Sequence, residues 1–215
     1  KHGLVLAQAL MYRHSALFER FMADMHGAGS NIESLHINFL LPDLPRGTFR
    51  NSSQLGASVV YDIGCYALSL LSEIGVDPAQ VWFEHLAYKR DMLSRALLTG
   101  PNAPRGPKIN ILIGVGAAYE NSVRLIRRDE SSTLYSPFFF GRPGKRNIHH
   151  RSREQKVSQE AVVEHNSFSK MLSYPLDSWI ENQKEGSDRM ISVTRALEKL
   201  EMSRLRQQPA TSNLI

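Results

Sequence analysis

The sequence carries a single cysteine, Cys65, only two tryptophans, and no uninterrupted apolar run near the roughly 20 residues that a membrane-spanning helix needs. One cysteine excludes an internal disulfide and a thiolate zinc cluster, both of which require several. A reducing, cytoplasmic setting is the expectation. The first residues lack the charged, apolar and small-residue zones of a signal peptide. The chain opens on Lys1 with neither a methionine nor a capping residue, which reads as a piece of a longer chain. No Gly-x-Gly-x-x-Gly follows an expected strand and no Walker-type glycine loop occurs, so neither a dinucleotide nor a nucleoside triphosphate site is encoded. Charge of one sign is not concentrated either. The 26 Lys and Arg against 21 Asp and Glu give a net charge of +5 spread over the chain, too modest for a nucleic-acid footprint. The densest basic stretch, from Arg142 to Lys156, has no aromatic interleaving and reads as a solvated loop.

What is present suits one folded unit: 215 residues with 42% hydrophobic content can bury one good core. Gly3 to Met11 is nearly continuous apolar and reads as a strand covered on both faces. From Ser15, the residues Leu17, Phe18, Phe21, Met22 and Met25 recur at helical spacing until Gly27 and Gly29. A β-favouring run from Ile32 ends at Leu41, before Pro42 and Pro45. The apolar segment from Val59 to Ile74 is expected to be a buried helix, capped by Ser58 and ended by Gly75 and Pro78. Strands are expected over Val81 to Tyr88, Ile109 to Val115, Ala118 to Ile126 and Ser132 to Phe140, with a turn between paired strands at Asn102 to Lys108. Helical spacing resumes after Glu160, through Val163, Phe168, Met171 and Leu172, and again from Asp188 to Leu200. This order predicts an α+β domain, a sheet with helices on one face.

The segment Asp62-Ile63-Gly64-Cys65-Tyr66 carries the chemistry. Asp62 and Tyr66 are four residues apart, so on a helix they share a face and can address one small molecule. From the residues alone two readings stay open: a functional pair, or Asp62 anchoring a loop with Tyr66 in the core. Cys65 points elsewhere and reads as a small buried hydrophobe. His149-His150 is a poor metal pair, because adjacent strand residues point to opposite faces.

Four short motifs occur in order along the chain: Leu10-Met11-Tyr12-Arg13-His14; Phe39-Leu40-Leu41-Pro42 with Phe49-Arg50; Leu55-Gly56 with Asp62 to Tyr66; and Gly116 to Ser122 followed by Phe138-Phe139-Phe140 and Pro143. Together they resemble the Gfo/Idh/MocA oxidoreductases, the glucose-fructose oxidoreductase and inositol dehydrogenase family, over roughly residues 1 to 205. The resemblance implies a large, mostly antiparallel mixed sheet, the C-terminal domain of a two-domain enzyme whose nucleotide-binding domain is not in this chain. Residues 1–12 would end the crossover from that domain, 13–206 would bind substrate and build the oligomer, and 207–215 would be a flexible tail.

By the same resemblance Tyr66 is the acid/base residue and Asp62 its polar neighbour, while Tyr12, Arg13, His14, Arg50, Tyr119 and Asn121 face the substrate. NAD or NADP would be held by the N-terminal domain together with a Glu-Lys-Pro lysine, and this chain would bind no cofactor alone. Tyrosine at 66 fits the glucose-fructose oxidoreductase, dihydrodiol dehydrogenase and keto-sugar reductase branches, whereas Gly56-Ala57-Ser58 departs from the family's three glycines and narrows the pocket. The expected function is oxidoreduction of a sugar or nucleotide-linked keto-sugar, with the isolated chain inactive. The alternative is a non-catalytic binding or assembly module. A homo-oligomer through a sheet face carrying Trp82, Phe83 and Tyr88 is expected, and no nucleic-acid, membrane or metal partner.

Overall fold

Strand β1 (Ile32–Leu41) alternates as its sequence demands: Leu35, Ile37 and Phe39 are fully buried, while His36 and Asn38 between them are only half-buried. The computed structural model describes residues 9–43, 58–89, 92–101, 106–140, 143–173 and 183–207. Most of the expected strand from Gly3, the loop with Pro45 and Arg50, the glycine at 56 and the tail beyond 207 lie outside the described residues.

Eight strands form one sheet in the order β2-β3-β4-β1-β5-β6-β7-β8. The others are β2 (Trp82–Lys89), β3 (Met92–Thr99), β4 (Lys108–Val115), β5 (Glu120–Arg127), β6 (Ser132–Ser136), β7 (Gly144–Arg151) and β8 (Val157–Glu164). Only β1 and β4 pair in parallel; every other neighbour is antiparallel. The parallel pair needs a long crossover, and the chain supplies it with α2 (Cys65–Glu73), β2 and β3. Register places Phe39 beside Ile113 on one side and Asn121 on the other, all on the helix-covered face.

Helix α1 (Ala16–Ala28) begins where Ser15 accepts the N–H of Phe18 at 3.0 Å and stops at Gly29, whose φ of 51° suits a residue without Cβ. Helix α3 (Ser167–Leu172) is capped by Asn166, and α4 (Gln183–Gln207) runs across the helical layer against α2 and β2. Leu17, Phe21, Leu68, Leu71, Val193 and Leu200 close the layer over the sheet. Each fully buried side chain of this size contributes roughly 1.5–3 kcal/mol relative to exposure.

Five expectations need correction. Met11–His14 forms a 3₁₀ turn rather than the end of a strand, with the N–H of Arg13 bonded to the carbonyl of Leu10. Gly144–Arg151 of the basic stretch is strand β7, which has only Ile148 fully buried and therefore shows no apolar alternation to betray it. The helical spacing assigned after Glu160 belongs to β8 up to Glu164; the helix begins only past Asn166. The aromatic run Phe138 to Phe140 leaves the sheet after Ser136, where the N–H groups of Phe138 and Phe139 bond to Asn121 instead of continuing the ladder. Trp82 and Phe83 take opposite faces, so Phe83 is in the core with Tyr88 packed against it, and Trp82 alone stands exposed.

Candidate functional site

The helix bearing Asp62 and Tyr66 starts as a π turn, Val60–Gly64, before tightening into α2. Such turns concentrate at functional sites, and nothing in the residue spacing announces one. Ser58 opens it as expected: its Oγ accepts the N–H of Val60 at 3.2 Å and donates to Glu201 at 3.0 Å. Arg204 in turn donates to both Glu201 oxygens, at 2.9 and 2.6 Å. At the other end of α2, Glu73 pairs with Arg13 at 3.1 Å and with Arg189 at 2.8 Å. One carboxylate at each end therefore ties the helix to its neighbours.

Gly64 sets how deeply this helix sits. A Cβ there would stand 3.3 Å from Ile113 Cδ1 and 3.9 Å from Leu197 Cδ2, so glycine lets the turn lie close on β4. Two residues later Tyr66 is half-buried among Phe39 (ring centroids 5.8 Å), Phe139 (6.0 Å) and Phe140 (4.9 Å), mostly edge-to-face. Asp62 is likewise half-buried, one turn earlier, and its carbonyl accepts the Cys65 thiol at 3.5 Å. Burial, aided by the Asp62 carboxylate, pushes that thiol up to about 11, so Cys65 is a poor nucleophile.

Asn121 organises the opposite wall. It is 1% exposed; its Oδ1 accepts the N–H groups of Phe138 at 3.0 Å and Phe139 at 2.8 Å, and its Nδ2 donates to Tyr119 Oη at 3.1 Å. The amide thus holds the aromatic loop that packs on Tyr66. Tyr119 is 54% exposed and Phe140 37%, so this wall opens to solvent.

The other residues expected at the site fall in different places. Tyr12 is 1% exposed, with its hydroxyl bonded to Ser69 at 2.9 Å and its ring against Phe18 and Phe139; burial holds its phenol well above the ordinary value. Tyr12 and Asn121 are thus both buried in the wall around Tyr66. Arg13 is engaged with Glu73, an ion pair rather than an open guanidinium. His14 is half-buried, and burial followed by the nearby Arg13 and Lys170 charges holds its pKa below the ordinary histidine value. Arg50 lies outside the described residues.

No family model matches the chain. It is 26% identical over 180 residues to dTDP-3,4-didehydro-2,6-dideoxy-alpha-D-glucose 3-reductase of Actinomadura kijaniata, a match covering 80% of this chain and 52% of that protein. The chain thus spans about half the length of the curated relative. Among solved structures, a 3-ketoreductase from Actinomadura kijaniata in complex with NADP and TDP-benzene superposes with a TM-score of 0.69 at 22% identity, over 93% of this chain and 62% of that one. The aldose-aldose oxidoreductase of Caulobacter crescentus gives 0.66 at 16% identity, covering 92% and 63%. The UDP-N-acetylglucosamine 3-dehydrogenase of Acidithiobacillus ferrooxidans gives 0.60 at 18%, covering 91% and 60%. In its motif order the chain resembles the Gfo/Idh/MocA oxidoreductases, and its eight-stranded mixed sheet has the fold of the matching part of these solved structures.

Proposed function

We propose that this chain forms the substrate-binding part of an NAD(P)-dependent oxidoreductase acting on a sugar or a nucleotide-linked keto-sugar, with Tyr66 moving the proton and Asp62 supporting it. The observation that carries this reading is the position of Tyr66: a half-buried phenol on a π-to-α junction, walled by Phe39, Phe139 and Phe140. The likeness to a dTDP-sugar 3-reductase supports a nucleotide-linked sugar as the substrate class.

Among the described residues, the one glycine pair at a strand end does not offer a dinucleotide site. The Gly-x-Gly at the end of β4, Gly114-Val115-Gly116, leads into a turn rather than a helix, and the N–H groups of Gly116 and Ala117 both bond to the carbonyl of Leu41. No amide cradle for a pyrophosphate is left there. In this reading the hydride chemistry, which a nicotinamide supplies when bound, belongs to a part of the protein other than these residues. Domain boundaries at 12 and 206 are part of the same proposal.

What this chain supplies is the proton. Reduction of a carbonyl needs a donor at the oxygen as negative charge develops there, and oxidation of a carbinol needs an acceptor. Tyr66 carries the hydroxyl that would act as the acid of a reduction. Packing against three aromatic rings fixes its orientation before substrate arrives, which is the requirement for a positioned acid. Tyr119, with its ring exposed beside the same wall, offers a surface for the sugar. His14 and Arg50 complete the proposed substrate contacts.

Self-association belongs to the same proposal. The sheet face away from the helices presents Leu97, Leu112 and Leu134 half-buried, with Trp82 48% exposed at its edge. Sedimentation of Trp82→Glu beside the wild type tests it, and an unchanged oligomeric state removes this edge from the interface.

The test of function is an activity assay on the protein expressed from its natural reading frame. Consumption of NADPH or NADH in the presence of TDP- or UDP-linked 3-keto-sugars supports the reading. Absence of turnover with all of them, in a protein that binds the cofactor, overturns it.

A further inference from the structure

A second polar site lies at the far end of the sheet, where the hairpin turns β5–β6 and β7–β8 meet the side of α1. Asn121 and Arg127 mark the two ends of β5, about 20 Å apart at roughly 3.4 Å per residue. The site therefore stands well away from the wall that packs on Tyr66. It is a cavity of about 440 Å³ whose lining includes Arg20, Arg127, Arg151 and Lys156. Against these four cations stand Asp24 and Glu154.

The charges are not equivalent. Arg20 is neutralised: it donates to Glu160 at 3.1 Å and to Asp24 at 3.4 Å. Asp24 also accepts the Tyr135 hydroxyl, and Glu160 also lies 3.4 Å from His150 Nε2. Arg127 is positioned by a different kind of group. Its Nη1 donates to Oγ1 of Thr133 at 3.0 Å, and that hydroxyl, on a residue 1% exposed, also meets His150 Nδ1 at 3.3 Å. A neutral, buried acceptor thus fixes the guanidinium without cancelling its charge. Arg151 and Lys156 have no carboxylate partner among the described residues. Three cations without a carboxylate ion pair among the described residues, on β5, on β7 and in the turn before β8, therefore border one cavity and outnumber the nearby carboxylates Glu154 and Asp129, with the hydroxyls of Ser132, Ser152 and Ser158 beside them.

From this geometry we infer that the cavity is a binding site for the phosphate group of a small phosphorylated molecule, separate from the site at Tyr66. A planar carboxylate is satisfied by one guanidinium fork in its plane. A tetrahedral dianion offers oxygens in several directions, which suits two guanidiniums and an ammonium approaching from three elements. The volume falls within the range of small-molecule pockets and exceeds what a bare ion fills, leaving room for the rest of such a ligand. This inference does not rest on the function proposed for Tyr66.

Isothermal titration of this chain with pyrophosphate, at about physiological ionic strength so that loose surface attraction is screened, tests it. Saturable binding at one site is expected, with affinity falling at least about tenfold in Arg151→Gln/Lys156→Gln, as loss of two charge-assisted contacts requires. Both side chains are exposed, so the double variant keeps its fold. Tyr66→Phe is expected to leave the affinity unchanged. No saturable binding, equal affinity in the double variant, equal binding of succinate, or loss in Tyr66→Phe would each overturn the assignment.

Discussion

The side-chain carbonyl of Asn121 accepts the backbone N–H of Phe139 at 2.8 Å, and the N–H of Phe138 at 3.0 Å, from inside the protein. One residue of a strand thereby fixes a loop that belongs to no strand, and the same loop supplies two of the rings around Tyr66. Replacing Asn121 by Ala leaves the Phe139 N–H without its acceptor, while the Phe138 N–H keeps the backbone carbonyl of residue 121 at 3.1 Å, and is expected to destabilise the fold by about 1–3 kcal/mol, the cost of one unsatisfied buried group. Urea unfolding measures this. A loss below about 1 kcal/mol would mean that the loop finds other acceptors.

Much of the fold was legible in the sequence where one physical signal dominated. The Ser15 cap, the Gly29 stop and the alternation of Leu35, Ile37 and Phe39 each leave a local trace, and each element stands where that trace puts it. Strand β7 left none, because seven of its eight residues are not fully buried and its register comes from pairing with β6 and β8. Val163 misled because it falls at helical spacing from residues beyond the Asn166 cap, although it ends a strand. At the site, the helix with Asp62 and Tyr66 was legible, whereas the π turn was not. The engagement of Asn121 and Arg13 was hidden too: their partners Phe138, Phe139 and Glu73 are distant in sequence, and only the folded register brings them together.

Cys65 is expected to resist alkylation. With its thiol pushed up to about 11 by burial and by Asp62, the thiolate at pH 8 is roughly a hundredfold scarcer than in an exposed cysteine. Iodoacetamide labelling followed by intact mass checks this in native and urea-unfolded protein. Equally fast labelling in both states would place the thiol at the surface.

Stability is expected to decline as pH falls below the ordinary histidine value of 6.5, through His14 and His36. Burial lowers both, and Arg124 and Lys108 add to the effect at His36. Between the lowered native value and 6.5 the unfolded chain binds more protons than the folded one, so stability rises with pH across that window. Urea midpoints at successive pH values measure the slope. His36→Gln is expected to flatten it, and an unchanged slope would assign the effect to other groups.

The Tyr66 hydroxyl is the centre of the account, and steady-state kinetics of Tyr66→Phe in the protein expressed from its natural reading frame test it most directly. Removing a positioned acid costs about 10²–10⁴ in rate, whereas the ring and its packing on Phe39 and Phe140 survive the change. The expected result is a fall in kcat of at least about a hundredfold with KM nearly unchanged. A kcat equal to the wild type would contradict the account and leave Tyr66 as a packing residue of the aromatic wall.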